Sequence, residues 1–259
     1  GAGGRHIGPQ FTAAGFAPEG TGRRGGETPV ACTARPWPPV FNASPHSFMS
    51  PEFFYFDLGR VLLDFDHTRM LRQMAELVGV SVETMAAAVM PSGDPSEGDP
   101  QWRLEAGELD EDVYFAGLCH RLGVRPDRAE LDRAVSDIFT PIDASMRLAE
   151  RLHGGGHRLG LLSNTNPIHW RWCLGSGRYP TLDRVFEVGV SSFEAKSMKP
   201  DAAIYRHAIA RAGVPAERIF FTDDRPENVA GAIACGIDAV LFTGAEALVG
   251  DLDARGVAC

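Results

Sequence analysis

Four short polar clusters, each following an apolar run, could together serve phosphoryl transfer. They are Asp57-Leu58-Gly59, Ser163-Asn164-Thr165-Asn166, Lys199-Pro200 and Asp223-Asp224. A carboxylate can attack phosphorus, and carboxylates can hold Mg²⁺. A hydroxyl, N–H groups and a lysine can bind phosphoryl oxygens as negative charge builds on them. The clusters therefore supply the group types needed to hydrolyse a phosphate ester through an aspartyl-phosphate.

The apolar runs before these clusters predict the strands of a parallel sheet. The predicted strands are residues 53–56, 159–162, 184–190, 219–221 and 239–242, and the predicted helices between them include 143–153, 201–212 and 226–235. Alternation of buried strands with helices is typical of a doubly wound α/β fold. Because such folds bind ligands at the carboxyl ends of their strands, the four clusters are expected to converge on one sheet edge.

The first two predicted strands are separated by about 100 residues, which is too long for one crossover connection. Residues 68–140 have helical periodicity, with helices predicted at 109–122 and 127–139 and a loop at 91–95. We interpret residues 68–140 as a small helical cap inserted into a core of residues 49–67 and 141–259.

Residues 1–48 are rich in Gly and Pro and have no helical or strand period. This composition cannot bury a core and predicts a disordered segment. The favoured interpretation is that the segment is an artefact of a misplaced start and that Met49 is the true first residue. A genuine disordered tail is the alternative.

Composition bounds the class of protein. The chain has 259 residues, 44% of them hydrophobic and 23% charged, which fits one large domain or one domain with an insertion. The net charge of −9 argues against general nucleic-acid or anionic-membrane binding, and no apolar run is long enough to span a membrane.

Five cysteines without a C-x-x-C pair favour reduced thiols and a cytoplasmic location. All but two of the 25 basic residues are arginine, which suggests a GC-rich, bacterial coding sequence.

The order and spacing of the clusters resemble the haloacid dehalogenase (HAD) superfamily of phosphatases over residues 52–245. The four motifs that carry the resemblance are Phe56-Asp57-Leu58-Gly59-Arg60-Val61-Leu62, Leu162-Ser163-Asn164, Met198-Lys199-Pro200 and Phe221-Thr222-Asp223-Asp224-Arg225-Pro226-Glu227-Asn228. All four in order form a strong signal. In pattern the sequence is most similar to the subgroup of the bacterial α-D-glucose-1-phosphate phosphatase and the N-terminal phosphatase domain of soluble epoxide hydrolase.

The resemblance implies a role for each matched residue. Asp57 would be the nucleophile and, with Asp224 and the carbonyl of Gly59, a Mg²⁺ ligand. Ser163 and Asn164 would bind phosphoryl oxygens, and Lys199 would stabilise the phosphorylated aspartate. The supporting residues would be Asp223 and Asn228.

Gly59 departs from the common D-x-D pattern of the family, in which the second Asp acts as general acid and base. That function, which typically contributes ~10²–10⁴-fold, is vacant here. A cap carboxylate, for example Glu105 or Glu108, could substitute for it.

A second segment, Asp64-Phe65-Asp66-His67-Thr68, matches D-x-D-x-T literally. If Asp64 were the nucleophile, the apolar run at 53–56 would have no role. Asp57 is therefore the favoured nucleophile, and Asp66 or Thr68 is expected to cap the first cap helix.

Three functions stay open at this level. The favoured one is Mg²⁺-dependent hydrolysis of a small phosphorylated metabolite, such as a sugar phosphate. The alternatives are an inactive HAD-like binding or regulatory protein, supported by Gly59, and a carbon–halogen hydrolase that needs no Mg²⁺. No nucleic-acid or membrane partner is expected, and the sequence indicates neither the substrate nor the oligomeric state.

Overall fold

The computed structural model describes residues 50–91 and 99–258. Within them the strands are β1 (Phe53–Phe56), β2 (Leu63–Phe65), β3 (Phe139–Pro141), β4 (Arg158–Ser163), β5 (Val188–Ser191), β6 (Ile219–Asp223) and β7 (Asp238–Leu241). Five of them form a parallel sheet in the order β5-β4-β1-β6-β7. This is the predicted α/β fold, and the order reverses direction beside the central strand β1.

Helices connect and cover these strands. They are α1 (His67–Val78), α2 (Val82–Val89), α3 (Pro100–Glu105), α4 (Glu111–Leu122), α5 (Arg128–Ser136), α6 (Asp143–Gly154), α7 (Pro167–Cys173), α8 (Pro180–Val185), α9 (Ser192–Ala195), α10 (Ala202–Ala212), α11 (Pro226–Ala234) and α12 (Ala245–Asp253), with a 3-10 turn at Ala216–Arg218. Among the described residues, no helix is both long and apolar enough to cross a membrane.

Burial on both faces explains why the central strand β1 is apolar at every position. All four of its side chains, Phe53, Phe54, Tyr55 and Phe56, are fully buried. They alternate between two hydrophobic clusters on opposite faces of the sheet. Burial of each such aromatic side chain contributes about 1.5–3 kcal/mol, so β1 is held firmly between its neighbours.

The cap helices α1 to α5 share a separate hydrophobic cluster, built around Met74, Met85, Leu104, Leu118 and Leu131. The antiparallel pair of β2 and β3 brackets these helices in the chain. The boundaries of the inserted segment at 68–140 stay a prediction.

Some predicted elements differ from the structure. The strand predicted at 184–190 begins only at Val188, because Pro180 starts α8, which continues to Val185. The helix predicted at 127–139 ends at Ser136, and Phe139 belongs instead to β3, which was not predicted. Short apolar runs fit either a helix or a strand, so their neighbours in the fold decide between the two.

Several expectations fall on parts of the chain outside the described residues. They concern residues 1–48, Met49 as the first residue, and most of the loop at 91–95.

Helix α7 joins the core to the cap helices. Asn166 caps the helix by accepting hydrogen bonds from the N–H groups of Ile168 and His169. The Ile168 side chain is buried in the hydrophobic cluster of the cap, and Arg171 makes a two-pronged ion pair with Glu111 of α4 (3.0 and 2.8 Å). The cap is thus fixed to the helix that directly follows Ser163-Asn164-Thr165-Asn166.

His169 adds a buried polar link between α7 and the cap. Its Nε2 lies 3.2 Å from the carbonyl oxygen of Val135, and its Nδ1 lies 3.1 Å from Nδ2 of Asn166. Because the carbonyl can only accept, Nε2 carries the proton, and Nδ1 accepts from Asn166. Burial, with the nearby His67 adding to it, lowers the pKa of His169 to about 4, although the bond to Val135 acts in the opposite direction.

Because the pKa of His169 is low in the folded state, the free energy of unfolding should depend on pH. An unfolded histidine titrates near pH 6.5, so the folded state binds fewer protons than the unfolded state between about pH 6.5 and 4. Full stability is present above that window. When the pH falls from about 7.5 to 4.5, the contribution of His169 should lower the free energy of unfolding by on the order of 2–3 kcal/mol.

Urea unfolding at these two pH values tests the expectation. His169→Gln keeps an uncharged donor and acceptor and should reduce the pH dependence, whereas His153→Gln, at an exposed position, should leave it unchanged. Equal pH dependence in the wild type and His169→Gln would contradict the assignment.

Candidate active site

The sheet register gathers the predicted site residues at one edge. Phe56, the last residue of β1, pairs with Leu161 of β4 and with Thr222 of β6. Asp57 follows β1, Ser163 ends β4, and Asp223 ends β6. The three strands therefore end side by side, as the sequence predicted.

Lys199 lies at the centre of this edge and is almost completely buried. Its Nζ donates to three acceptors: the Leu162 carbonyl oxygen (2.8 Å), Asp57 Oδ1 (2.9 Å) and Asp223 Oδ2 (2.6 Å). An ammonium group has three hydrogens, so each one has a partner. Lys199 thus ties the ends of three strands together.

Asn164 holds the main chain of Lys199. Its Oδ1 accepts from Lys199 N (2.8 Å), and its Nδ2 donates to Lys199 O (2.9 Å). The side chain predicted to bind a phosphoryl oxygen therefore positions the lysine, which sequence reasoning missed because the contact spans 35 residues. Phosphoryl binding by Asn164 stays a prediction, and its backbone N–H is one group left for it.

Ser163 is buried at the end of β4, and its Oγ has only a weak bond to Asn164 O at 3.5 Å. The hydroxyl is therefore free to turn toward a ligand at the sheet edge. Its predicted role in phosphoryl binding is compatible with this placement and stays a prediction.

Asp223 is fully buried, and hydrogen bonds occupy both of its oxygens. Oδ2 accepts from Lys199, and Oδ1 accepts from Arg225 N and Asn228 Nδ2, each at 2.9 Å. Asn228 is held in turn because its carbonyl oxygen accepts from Tyr205 Oη at 2.7 Å. Asp223 and Asn228 are thus hydrogen-bonded to each other, and Asp223 to Lys199; their supporting role in catalysis stays a prediction.

The nucleophile candidate Asp57 is buried beside these charges. Burial raises the pKa of Asp57 to about 6, and the charge of Asp223 adds to the rise, while Lys199 and the N–H of Leu58 oppose it. For Lys199, burial alone would lower the pKa, but the carboxylates of Asp57 and Asp223 outweigh it, so the pKa is raised. Burial thus works against the ionised form of Asp57, and the Lys199 ammonium works in its favour.

The charge of the cluster fits a divalent cation. Asp57, Asp223 and Asp224 each place one carboxylate oxygen within 4.8 Å of the others. Three carboxylates face the single ammonium of Lys199, which leaves two negative charges unbalanced. Burial and then Asp223 raise the pKa of Asp224, while Lys199 opposes the rise.

The donor set also suits Mg²⁺, which prefers oxygen ligands. Since Lys199, Arg225 and Asn228 occupy the oxygens of Asp223, the carboxylates best placed to hold a cation are those of Asp57 and Asp224. Participation of the Gly59 carbonyl stays a prediction.

The literal D-x-D-x-T segment lies away from this cluster. Asp64 is exposed within β2 and pairs with Arg60 at 2.7 Å. Asp66 caps α1 by accepting from Arg69 N, as expected from the sequence. Among these aspartates, only Asp57 follows the central strand.

The two cap carboxylates suggested as substitutes for the missing general acid do not contact the cluster. Glu105 Oε1 accepts from Gln101 Nε2 at 2.8 Å, and burial raises the pKa of Glu105. Glu108 is exposed and lies 3.8 Å from Arg103. Neither has a bond to the strand ends through its carboxylate, so the structure gives no support to that substitution.

Comparison with known proteins identifies the family. The model of the haloacid dehalogenase-like hydrolases matches residues 54–236. The chain belongs to this family of hydrolases. The narrower likeness to the glucose-1-phosphate phosphatase and epoxide hydrolase subgroup stays a prediction.

Curated relatives are similar over part of their length. An (S)-2-haloacid dehalogenase 4A from Burkholderia cepacia is 29% identical over 140 residues, which are 54% of this chain and 57% of that protein. A drimenol cyclase from Aspergillus calidoustus is 28% identical over 143 residues, 53% of this chain and 26% of the cyclase. The matched part thus spans less than two thirds of either relative.

Solved structures share the fold. A predicted HAD-like family hydrolase from Porphyromonas gingivalis superposes with a TM-score of 0.63 at 26% identity, covering 78% of this chain and 98% of that one. A HAD family enzyme from Bacteroides thetaiotaomicron, in complex with magnesium and inorganic phosphate, gives 0.61 at 23%, covering 74% and 93%. An L-2-haloacid dehalogenase from Xanthobacter autotrophicus gives 0.51 at 19%, covering 80% and 84%.

Replacing the central lysine should destabilise the protein. Lys199→Met would leave Asp57 and Asp223 buried without their cation, at a cost of about 3–5 kcal/mol in unfolding free energy. Lys196→Met changes the only other lysine, which is exposed, and should cost less than about 0.5 kcal/mol. Urea unfolding in EDTA compares the two, and equal losses would count against the central role of Lys199.

Binding of Mg²⁺ should stabilise the folded chain. At about 100 times its dissociation constant the cation adds ~2.7 kcal/mol, which a thermal melt detects as a rise in Tm. Asp224→Asn should lose most of this rise, whereas Asp64→Asn, at the exposed position, should keep it. A full rise in Asp224→Asn would exclude Asp224 as a ligand.

Proposed function

We propose that the chain is a Mg²⁺-dependent phosphatase that hydrolyses a small phosphomonoester, such as a sugar phosphate, through an aspartyl-phosphate on Asp57. The observation that supports this most is the charge of the site: three carboxylates gathered around one buried ammonium. A phosphate dianion entering such a site would be repelled unless a divalent cation balanced the carboxylates. When bound, the cation would supply that balance and polarise the phosphoryl group.

The chain's own residues account for the remaining requirements. The second oxygen of Asp57 is available for attack because Lys199 and the N–H of Leu58 hold only Oδ1. The Lys199 ammonium lies beside the atom that would carry the phosphoryl group. The Ser163 hydroxyl and the N–H of Asn164 are candidates to bind the equatorial oxygens.

Carbon–halogen hydrolysis is the second candidate, since dehalogenases are among the proteins similar to this chain. It would use the same aspartate without a cation. In that case the two unbalanced charges of the site would stay uncompensated, and Asp224 would have no function. The charge therefore favours the phosphatase.

The remaining features of the proposal concern partners and location. The net charge of −9 argues against a nucleic-acid or anionic-membrane partner. A small phosphorylated metabolite as the partner follows from the proposed phosphatase site. A cytoplasmic location and a bacterial origin are part of the same proposal.

Hydrolysis of p-nitrophenyl phosphate tests the proposed function. The wild type should be active with Mg²⁺ and inactive with EDTA. Asp57→Asn should lose roughly 10⁴-fold or more, whereas Asp64→Asn should retain activity because Asp64 is exposed outside the cluster.

The same proteins should then be given 2-chloropropionate, with chloride release as the readout. Chloride release that survives EDTA and is lost in Asp57→Asn would replace the phosphatase with the dehalogenase. Mg²⁺ binding without turnover of either substrate, or of a panel of sugar phosphates, would favour the inactive binding protein.

A further inference from the structure

Hydrolysis of an alkyl phosphate, or of an aryl phosphate with a poor leaving group, needs a proton for the departing oxygen. The side chains at the strand ends are already engaged in the proposed chemistry, with Ser163 as a candidate to bind a phosphoryl oxygen and Asp224 as a candidate to hold the cation. Asp57 must be ionised to attack, and Asp223 accepts bonds on both oxygens. All three hydrogens of Lys199 are donated to protein acceptors. The side chains around the loop that follows Asp57 are therefore the next candidates for a proton donor.

Phe65 occupies the space beside that loop. A Cβ placed on Gly59 would lie 2.9 Å from Cε1 of the Phe65 ring, closer than side-chain atoms normally approach. No carboxylate can therefore stand at position 59 while Phe65 keeps its place. The ring edge thus fills the space that a side chain at position 59, two residues beyond Asp57, would enter.

His67 packs on this ring. The centroids of the Phe65 and His67 rings are 4.9 Å apart, with planes inclined by 40°. His67 is the first residue of α1 and remains exposed to solvent. It is thus an accessible imidazole in contact with the ring that fills the space at Gly59.

The charged neighbours of His67 come from three elements. Arg60, from the loop after β1, stacks its guanidinium 4.5 Å from the Phe65 centroid. Asp66 precedes His67 at the start of α1, and His169 approaches from α7. Although part of the His67 surface is exposed, its partial burial and then Arg60 lower its pKa, while Asp66 raises it. An incoming phosphate dianion would favour the protonated ring.

We propose that His67 is the general acid and base of this site, held toward the departing oxygen by the Phe65 ring that excludes a side chain at Gly59. The proposal rests on the phosphatase function. It makes His67 a catalytic residue and Phe65 the positioning residue that carries it.

The two chemical steps balance with this assignment. The free oxygen of Asp57 bonds to phosphorus, the bond from phosphorus to the departing oxygen breaks, and protonated His67 gives that oxygen its proton. Neutral His67 then takes a proton from water, and the water oxygen bonds to phosphorus. The bond from phosphorus to Asp57 breaks, which releases inorganic phosphate and regenerates the aspartate and the protonated histidine.

A series of aryl phosphates of similar size tests this role, because general acid catalysis matters most for poor leaving groups. The probes are 4-nitrophenyl, 4-cyanophenyl, 4-chlorophenyl and phenyl phosphate. In the wild type, kcat/KM should depend weakly on the leaving-group pKa. In His67→Asn the dependence should become steep, with a loss of about 10²-fold or more for phenyl phosphate and little loss for 4-nitrophenyl phosphate.

Two further variants sharpen the result. His120→Asn, which changes an exposed histidine on cap helix α4, should keep the wild-type dependence. Phe65→Leu removes the ring under His67 and should steepen the dependence in the same direction. A purely structural role for His67 would instead lower kcat/KM by one factor for all four substrates.

The outcomes separate the two proposals. If the wild type hydrolyses the aryl phosphates and His67→Asn keeps the shallow dependence, the role of His67 is overturned while the phosphatase stands. If the wild type with Mg²⁺ hydrolyses none of them, nor sugar phosphates, the phosphatase itself fails and the role of His67 falls with it.

Discussion

The buried ammonium of Lys199 is the interaction on which the site depends. Its three bonds reach the main chain of β4 and the carboxylates that follow β1 and end β6. Without that cation, the aspartates would be like charges in a desolvated place, where a folded chain does not keep them ionised. The same contact that stabilises the strand ends therefore keeps a nucleophile charged.

The lysine itself must be held, and Asn164 does so through both ends of its amide. The residues of the second polar cluster, Ser163-Asn164-Thr165-Asn166, thus have different structural roles. Ser163 faces the strand edge, Asn164 fixes Lys199, and Asn166 caps α7. Since α7 also buries Ile168 among the cap helices, one short segment links the charged centre to these helices.

The loop after β1 shows how packing limits chemistry. Phe65 fills the space that a side chain at position 59 would enter, so an acid at that position would require the Phe65 ring to move. The aromatic ring belongs to a strand of the small antiparallel pair and brings His67 and Arg60 with it. Acid–base function and the start of the cap are therefore connected by a single ring contact.

The sequence alone indicated the sheet, because runs such as Phe53–Phe56 are apolar at every position, suit a strand covered on both faces, and alternate with helical segments. It also placed Asp57, Lys199 and Asp223 at one edge, since parallel strands end together. Only the tertiary structure decided that α8 extends to Val185, that Asn164 binds Lys199, and that Phe65 fills the space at Gly59. Those outcomes depend on contacts between residues distant in the chain or on competition among packing partners. Local sequence patterns do not encode such contacts or such competition.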